Sequence, residues 1–352
     1  TSTITNGALG TNTSAAANFV SSGAVLDLGG YTLLNPLTIT GTGISSSGAI
    51  TNSGGTAATQ SGAIVLSTDA SIGSPSSANN FNLAGVISGS FALTINGGTG
   101  QTGTITLTNA NNTYTGVTTI SAGTLAISGS GAIASSSGVT NNSNFDISAT
   151  ASGTSVASIS GGGTTVLGAR ALTITSAAGT LSGSITGTGG SIVIAGGNQI
   201  FSGDNTYTGG TTISGGTLQI SADANLGTAP SPGSAAINIT ISSGAALLVS
   251  GQTAGVTIGA HRNIALGTGG GSISNANTNY AVTIGGVISG ASNALTINTP
   301  GNTGTVTLTN TNTYTGGTTI SAGTLALSGS GAIASSSLIT NNSNFDISAL
   351  NE

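Results

Sequence analysis

The ionisable supply of this chain is small enough to name. It has one histidine, two arginines and seven carboxylates in 352 residues, with no lysine and no cysteine. A general base would have to be His261, and the adjacent Arg262 disfavours a second positive charge there. No carboxylate stands near it in the sequence, so His261 reads as a turn residue at the corner of a coil. One imidazole and no thiol exclude a metal site built from His or Cys. The carboxylates Asp27, Asp69, Asp146, Asp204, Asp223, Asp346 and Glu352 are scattered. Asp146 and Asp346 recur in the phrase Asn-Asn-Ser-Asn-Phe-Asp-Ile-Ser, where Phe145, Ile147, Phe345 and Ile347 are expected to face inward and the aspartates outward. Calcium is the alternative use of such aspartates, but the Gly-Gly-x-Gly-x-Asp array of calcium-binding β-helices is missing.

Tyr114, Tyr207 and Tyr314 sit in matched phrases. They read either as a carbohydrate-stacking set or as amphipathic corner residues with the hydroxyl in water, and the second fits tyrosine at surfaces better. Gly-x-Gly patterns abound because there are 60 glycines, and none leads from a strand into a helix N-terminus as phosphate binding requires. No catalytic, metal or cofactor set is expected. The chain is read as not an enzyme.

The elements that would hold these residues are strands. Period-two alternation recurs in Val25-Leu-Asp-Leu28, Thr104-Ile-Thr-Leu-Thr108, Gly123-Thr-Leu-Ala-Ile-Ser128, Gly216-Thr-Leu-Gln-Ile220 and Thr305-Val-Thr-Leu-Thr309. Such segments bury one face and wet the other. Leu125, Ile127, Ile213, Leu218, Ile320 and Leu325 are the expected inward residues. Gly-Gly, Asn-Gly and Ser-Gly steps between them are turns. No apolar 3.6-residue period with caps is present, so little helix is expected. The proline-bearing Thr228-Ala-Pro-Ser-Pro-Gly233 reads as a loop excursion.

Only 3% of the residues are charged, against about a quarter in an ordinary domain. The outward faces must therefore be Ser, Thr, Asn and Gly. A formal charge of −5 without a basic cluster excludes a nucleic-acid footprint. No apolar run approaches the roughly 20 residues of a membrane helix, so membrane insertion is not expected. The N-terminus lacks the basic and apolar stretches of a signal peptide. Lack of lysine, cysteine and methionine leaves almost no trypsin site and no readily oxidised sulfur, which favours a place outside the cell.

Residues 112–137 return almost unchanged at 312–337, with a looser copy at 205–221. Long-period self-similarity marks a repeat architecture whose units bury their apolar faces only by stacking. The spacing of the three tyrosines is too long for one coil, since solenoid repeats run on the order of 20 to 45 residues. Each repeat must hold several coils, and the motif copies cannot form a ladder in adjacent ones. Residues 1–352 are expected to form one continuous all-β solenoid and a single elongated rod. At on the order of 20 residues per coil it would have about 15 to 18 coils and a length of roughly 70 to 85 Å.

The phrase Asn-Thr-Tyr-Thr-Gly-Gly-Thr-Thr-Ile-Ser followed by Gly-Thr-Leu, at 205–218 and 312–325, closely resembles the autotransporter-associated β-strand repeat of bacterial passenger domains. Gly-Val-Ile-Ser-Gly at 85–89 and 286–290, and the stretch 260–271, extend the resemblance over nearly the whole chain. It implies a right-handed parallel β-helix exported to a bacterial cell surface, usually within a longer protein.

Three functions compete. One is a structural block of an extracellular fibre or surface layer, another an adhesin-type passenger that binds cell-surface glycans or cells. The third, a β-helical polysaccharide-degrading enzyme, would need grouped Asp, Arg or Lys that this chain lacks. Adhesion needs exposed aromatic or charged hot spots, which are few here. The fibre reading therefore leads, with copies of the chain itself as partners. The terminal strands carrying Ile4, Leu9, Phe345 and Ile347 are its expected contacts. Residues 5–11 resemble 222–228, and 341–349 repeat 141–149, so both termini open or close in mid-phrase without a cap.

Overall fold

The computed structural model describes residues 18–232 and 236–351, and the backbone of 3–4. The chain forms two compact units, Thr1–Leu172 and Thr173–Glu352. In both, short strands pair in parallel with the strand one coil away, as Thr124–Gly129 does with Asn144–Thr150 and Thr324–Gly329 with Asn344–Leu350. This is a parallel β-solenoid, all-β as expected. Among the described residues the only helical pieces are single 3-10 turns at Ile44–Ser46 and Asp223–Leu226.

In the first unit one sheet carries Ala58–Gln60, Phe81–Leu83, Thr104–Leu107, Thr124–Gly129 and Asn144–Thr150 in spatial order. A second carries Leu37–Gly41, Ile64–Gly73, Leu93–Ile95, Thr118–Ile120 and Val139–Asn141. The register stacks Phe81, Ile105, Leu125 and Phe145 in one inward column. All four are fully buried. The outward column on the second sheet is Thr94, Thr119, Thr140 and Ser160.

The second unit repeats the plan. One sheet runs Asn198–Phe201, Thr217–Ile220, Ala245–Val249, Gly271–Asn275, Leu295–Ile297, Thr318–Ile320 and Ile339–Asn341. Its inward column is Leu218, Leu247, Ile273, Ile297 and Ile320. A second sheet runs Ser191–Ile194, Thr211–Ile213, Ile237–Ile241, Asn263–Leu266 and Ile288–Ser289. A third contains Val256–Ile258, Val282–Ile284, Thr305–Leu308, Thr324–Gly329 and Asn344–Leu350.

Strands of two to ten residues form here because alternate side chains are aliphatic and the rest are small and polar. Leu125, Ile127, Ile213, Leu218, Ile320 and Leu325 are each 0% exposed, as alternation predicts. Burying a Leu or Ile side chain contributes about 1.5–3 kcal/mol, so the columns supply the main drive to coil. The coils are not uniform. Asn144 lies 20 residues from its partner Thr124, while Asn52 reaches Asn79 across 27. Longer coils lower the expected count to about 14 turns.

Both copies of the phrase ending Phe-Asp-Ile-Ser-Ala carry the same irregularity, a register shift opposite Ala126/Ser128 and Ala326/Ser328. The aspartate sits at that bulge, where its Oδ1 accepts the N–H two residues on, at 2.8 Å from Ser148 and 2.9 Å from Ser348. Phe145 and Ile147 point into the core. Their counterparts do not behave alike: Phe345 is half-buried and Ile347 is 56% exposed. Thr164–Val166 covers the first copy, whereas Asn344–Leu350 has a neighbour on one side only among the described residues.

Candidate functional site

The chemistry-bearing residues of the repeated phrase converge inside the solenoid rather than on its flank. In the first copy Asn112 is buried at a corner. Its Oδ1 accepts the Ile87 N–H at 2.8 Å, and its Nδ2 donates to the carbonyls of Asn109 and Ala132, both at 3.0 Å. One amide thus joins the coil before, its own coil and the coil after. Asn205 repeats this with Ile185 N–H and the Asn225 carbonyl, and Asn312 with Ile288 N–H and the carbonyls of Asn310 and Ala332. A buried backbone group left unpaired costs about 1–3 kcal/mol, so each asparagine satisfies groups that the corner takes out of the ladder.

Two residues on, the tyrosine turns inward. Tyr114, Tyr207 and Tyr314 are all buried, which corrects the expectation of a corner residue with a wet hydroxyl. The hydroxyl is 2.7 Å from Thr118 Oγ1, 2.6 Å from Thr211 Oγ1 and 2.7 Å from Thr318 Oγ1 in the three copies. These threonines are the first of each Thr-Thr-Ile strand and are themselves buried. In the first and third copies the threonine reaches Ser136 or Ser336 Oγ at 2.9 Å, one coil on. That serine donates to the Gly116 or Gly316 carbonyl. Burial pushes all three phenols up to about 12. A phenol so held neither ionises near neutrality nor meets a sugar ring.

The motif glycines are steric. A Cβ on Gly116 would lie 2.2 Å from the Phe91 carbonyl carbon, and one on Gly316 equally near that of Asn293. The coils approach too closely at this corner for any side chain.

The second copy differs at the next coil. No serine answers Thr211; Asp223–Leu226 turns there instead, and Arg262 reaches in from the coil beyond. Arg262 is 1% exposed and its Nε is 2.7 Å from Asp223 Oδ1. Its Nη1 donates to Asn238 Oδ1 at 2.7 Å and the Leu226 carbonyl at 3.2 Å, its Nη2 to the carbonyls of Gly227 and Asp223 at 2.5 and 3.2 Å. The guanidinium therefore ties residues 226–227 to Asn238, on either side of the proline-bearing excursion. Its charge also opposes the burial that raises Tyr207. In the sequence Arg262 is only a neighbour unfavourable to a charged His261. Its pairing is hidden there because Asp223 stands 39 residues away. His261 itself lies half-buried in the turn beside Arg262.

Among the described residues no three of His, Cys, Asp and Glu cluster as metal ligands would. Of the expected contact residues, Ile4 lies in the strand Thr3–Ile4 paired with Leu33, and Phe345 and Ile347 in the strand Asn344–Leu350. Leu9 and the phrase 5–11 lie outside the described residues.

Equivalent strands need not share a sheet. Thr211–Ile213 and Thr318–Ile320 both follow the motif tyrosine, yet they belong to different sheets of the second unit. The sheet holding Thr211–Ile213 continues to Ile288–Ser289, on which the Tyr314 backbone is hydrogen-bonded. The third copy is thus advanced by one face relative to the second.

The fold and these stitched corners define a β-solenoid built from coil-linking repeats. Residues 101–127, 196–220 and 302–327 match the passenger-associated-transport-repeat family, and the chain carries three such repeats. Each match ends in the Gly-Thr-Leu strand after the motif tyrosine or its equivalent. No curated protein and no solved structure matches the chain.

Proposed function

We propose that this chain is a structural, non-enzymatic stretch of an extracellular bacterial passenger whose coils join end to end with those of other copies, building a fibre or surface layer. The observation that carries the reading is where the polar groups go. The amides, hydroxyls and the guanidinium of the motif corners are spent on joining one coil to the next. The outward column Thr94, Thr119 and Thr140 is made of uncharged hydroxyls, which give copies nothing to repel there. Passenger-associated repeats support a secreted or surface location. Among the described residues no helix is long and apolar enough to cross a membrane.

Electron microscopy of the purified chain over a range of concentrations tests this. Filaments are expected; a chain that stays monomeric at high concentration would overturn it. A panel of polysaccharides, esters and peptides should show no turnover, and a reproducible activity lost in His261→Ala would refute the non-enzymatic reading.

The adhesin reading has one observation in its favour. Tyr31, Phe91 and Tyr280 expose ring surface that could stack on a sugar. Glycan-array binding abolished by alanine at these three positions would favour it over the fibre.

A further inference from the structure

Besides the motif corner, the solenoid has a second kind of buried asparagine corner, found once in each unit. Asn96 follows the strand Leu93–Ile95, and Asn298 follows Leu295–Ile297. Both are 0% exposed, and both take a positive φ, 52° and 55°. Asn96 Oδ1 accepts the Ser74 N–H at 2.7 Å, and its Nδ2 donates to the carbonyls of Gly103 at 2.8 Å and Ala122 at 3.3 Å. Asn298 Oδ1 accepts the Asn275 N–H at 2.8 Å, and its Nδ2 donates to the carbonyls of Gly304 at 2.7 Å and Ala322 at 3.2 Å. The corner leaves no slack: a Cβ on Gly123 would lie 2.4 Å from Asn96 Nδ2, and one on Gly323 2.5 Å from Asn298 Nδ2.

The two corners differ in the residue that follows. Asn298 precedes Thr299, whose N–H donates to Ser274 Oγ at 3.0 Å and whose β-branched side chain crowds that nitrogen. Asn96 precedes Gly97, which is exposed and has no side chain to shield its nitrogen. A glycine nitrogen so placed attacks the preceding side-chain amide more readily than any other. The Gly97 nitrogen adds to Asn96 Cγ, the Cγ–Nδ2 bond breaks, and ammonia leaves with the proton of the Gly97 N–H. Water then opens the cyclic imide at either carbonyl, leaving aspartate or isoaspartate at 96. Turning the Asn96 amide toward Gly97 breaks all three of its hydrogen bonds, so the folded corner holds the step back.

We propose that Asn96 is a self-modification site gated by its coil: it converts in molecules whose coil has opened there, and the product keeps that coil from closing again. A carboxylate has no N–H to give the Gly103 and Ala122 carbonyls and would be buried against their oxygens. Local opening, otherwise reversible, thereby leaves a permanent mark. The first unit has a breaking point at this corner that Thr299 denies to the matching corner of the second. The site stands whether or not the chain forms fibres.

The test ages the full chain, folded and in urea, side by side at mildly alkaline pH. Isoaspartate is read by enzymatic methylation and by the masses of peptic fragments, which separate residue 96 from the other Asn-Gly pair, Asn6-Gly7. In urea Asn96 should convert well ahead of Asn298. In the folded chain Asn96 should convert about a hundredfold more slowly than in urea, because its three hydrogen bonds must break first. Gly97→Ala, whose Cβ would lie 3.3 Å from the Thr94 methyl and meet nothing nearer, should slow conversion in urea and keep the wild-type thermal midpoint. Folded chain already converted at 96 should lose hydrogen-exchange protection at the N–H groups of Ser74, Gly103 and Thr124, which ladder this corner. Equal rates in the folded and unfolded chain would overturn the gate. Asn298 keeping pace with Asn96 in urea, or Gly97→Ala converting at the wild-type rate, would overturn the site. Unchanged protection in the converted chain would overturn the breaking point.

Discussion

At the residue scale, a phenol, a threonine and a serine from two coils form one buried chain of hydroxyls, and each has a separate cost of removal. Tyr114→Phe takes away the end of the chain while Thr118 keeps Ser136. It should cost about 0.5–1.5 kcal/mol. Asn112→Ala leaves the Ile87 N–H and two carbonyls without that partner, and should cost more, about 3 kcal/mol. Thermal melts or denaturant titrations of the two variants read the difference, and equal shifts would refute the ranking. Leu218→Lys buries an unpaired charge and should cost several kcal/mol. Thr217→Lys, at the half-buried position beside it, should cost far less. Equal shifts there would mean the faces are assigned wrongly. Arg262→Met should lie toward the lower end of the about 3–5 kcal/mol typical of broken buried pairs, because Asp223 keeps 31% exposure and can be rehydrated.

At the scale of the element, the coil's close approach at the motif corner decides which glycines matter. Gly116→Ala would force its Cβ into the backbone of Phe91, whereas a Cβ on Gly55 meets nothing within 4 Å. Hydrogen exchange should show protection lost around 91–95 and 116–120 in Gly116→Ala and unchanged protection in Gly55→Ala. Local exchange is the right measurement because a solenoid's stability is a sum over neighbouring coils rather than one transition. The strands themselves were legible in the sequence. Leu125 between Thr124 and Ala126 can face inward only one way, and it does. The motif corner was not legible. Thr118 and Thr119 look alike in the sequence, yet one is buried against a phenol and the other faces out, and the serine that completes the chain lies 18 residues on. Polarity alone assigned Tyr114 to the surface because its hydroxyl partner could be seen only once the coil had closed. The pairing of Arg262 with Asp223 was hidden for the same reason, with the excursion adding further residues between them.

For the whole molecule, the scarcity of charge sets the response to pH. The three buried phenols have pKa values raised from 10.0 to about 12. A raised folded-state value means that the folded chain holds these protons more tightly than the unfolded one. The stability this confers is complete below pH 10 and is lost as pH rises through about 12. Thermal midpoints should therefore fall steeply between those values, and in a variant with the exposed Tyr31 and Tyr280 changed to Phe, tyrosinate absorbance should appear together with unfolding rather than before it. On the acid side the effect is small. Burial would raise Asp27, but hydrogen bonds from Ser53 and Gly29 outweigh it and hold the carboxyl below its usual range. Asp346 is lowered by Ser348. Melts at pH 5 and pH 7 should nearly coincide, and a large loss already at pH 5 would mean that ionic contacts carry more of the fold than the single ion pair among the described residues.

The near-identity of 112–137 and 312–337 has a consequence at the level of the gene. Both copies rest on a coil of the same kind, with Leu93–Ile95 beneath Thr118–Ile120 and Leu295–Ile297 beneath Thr318–Ile320, and both are stitched by the same Asn, Tyr, Thr and Ser. A crossover that joins the start of one copy to the end of the other would give each strand at the junction the neighbours it already has. Recombination can therefore lengthen or shorten such a chain by whole repeats without creating a junction that has never folded before, which makes length the property of this protein most open to rapid inherited change.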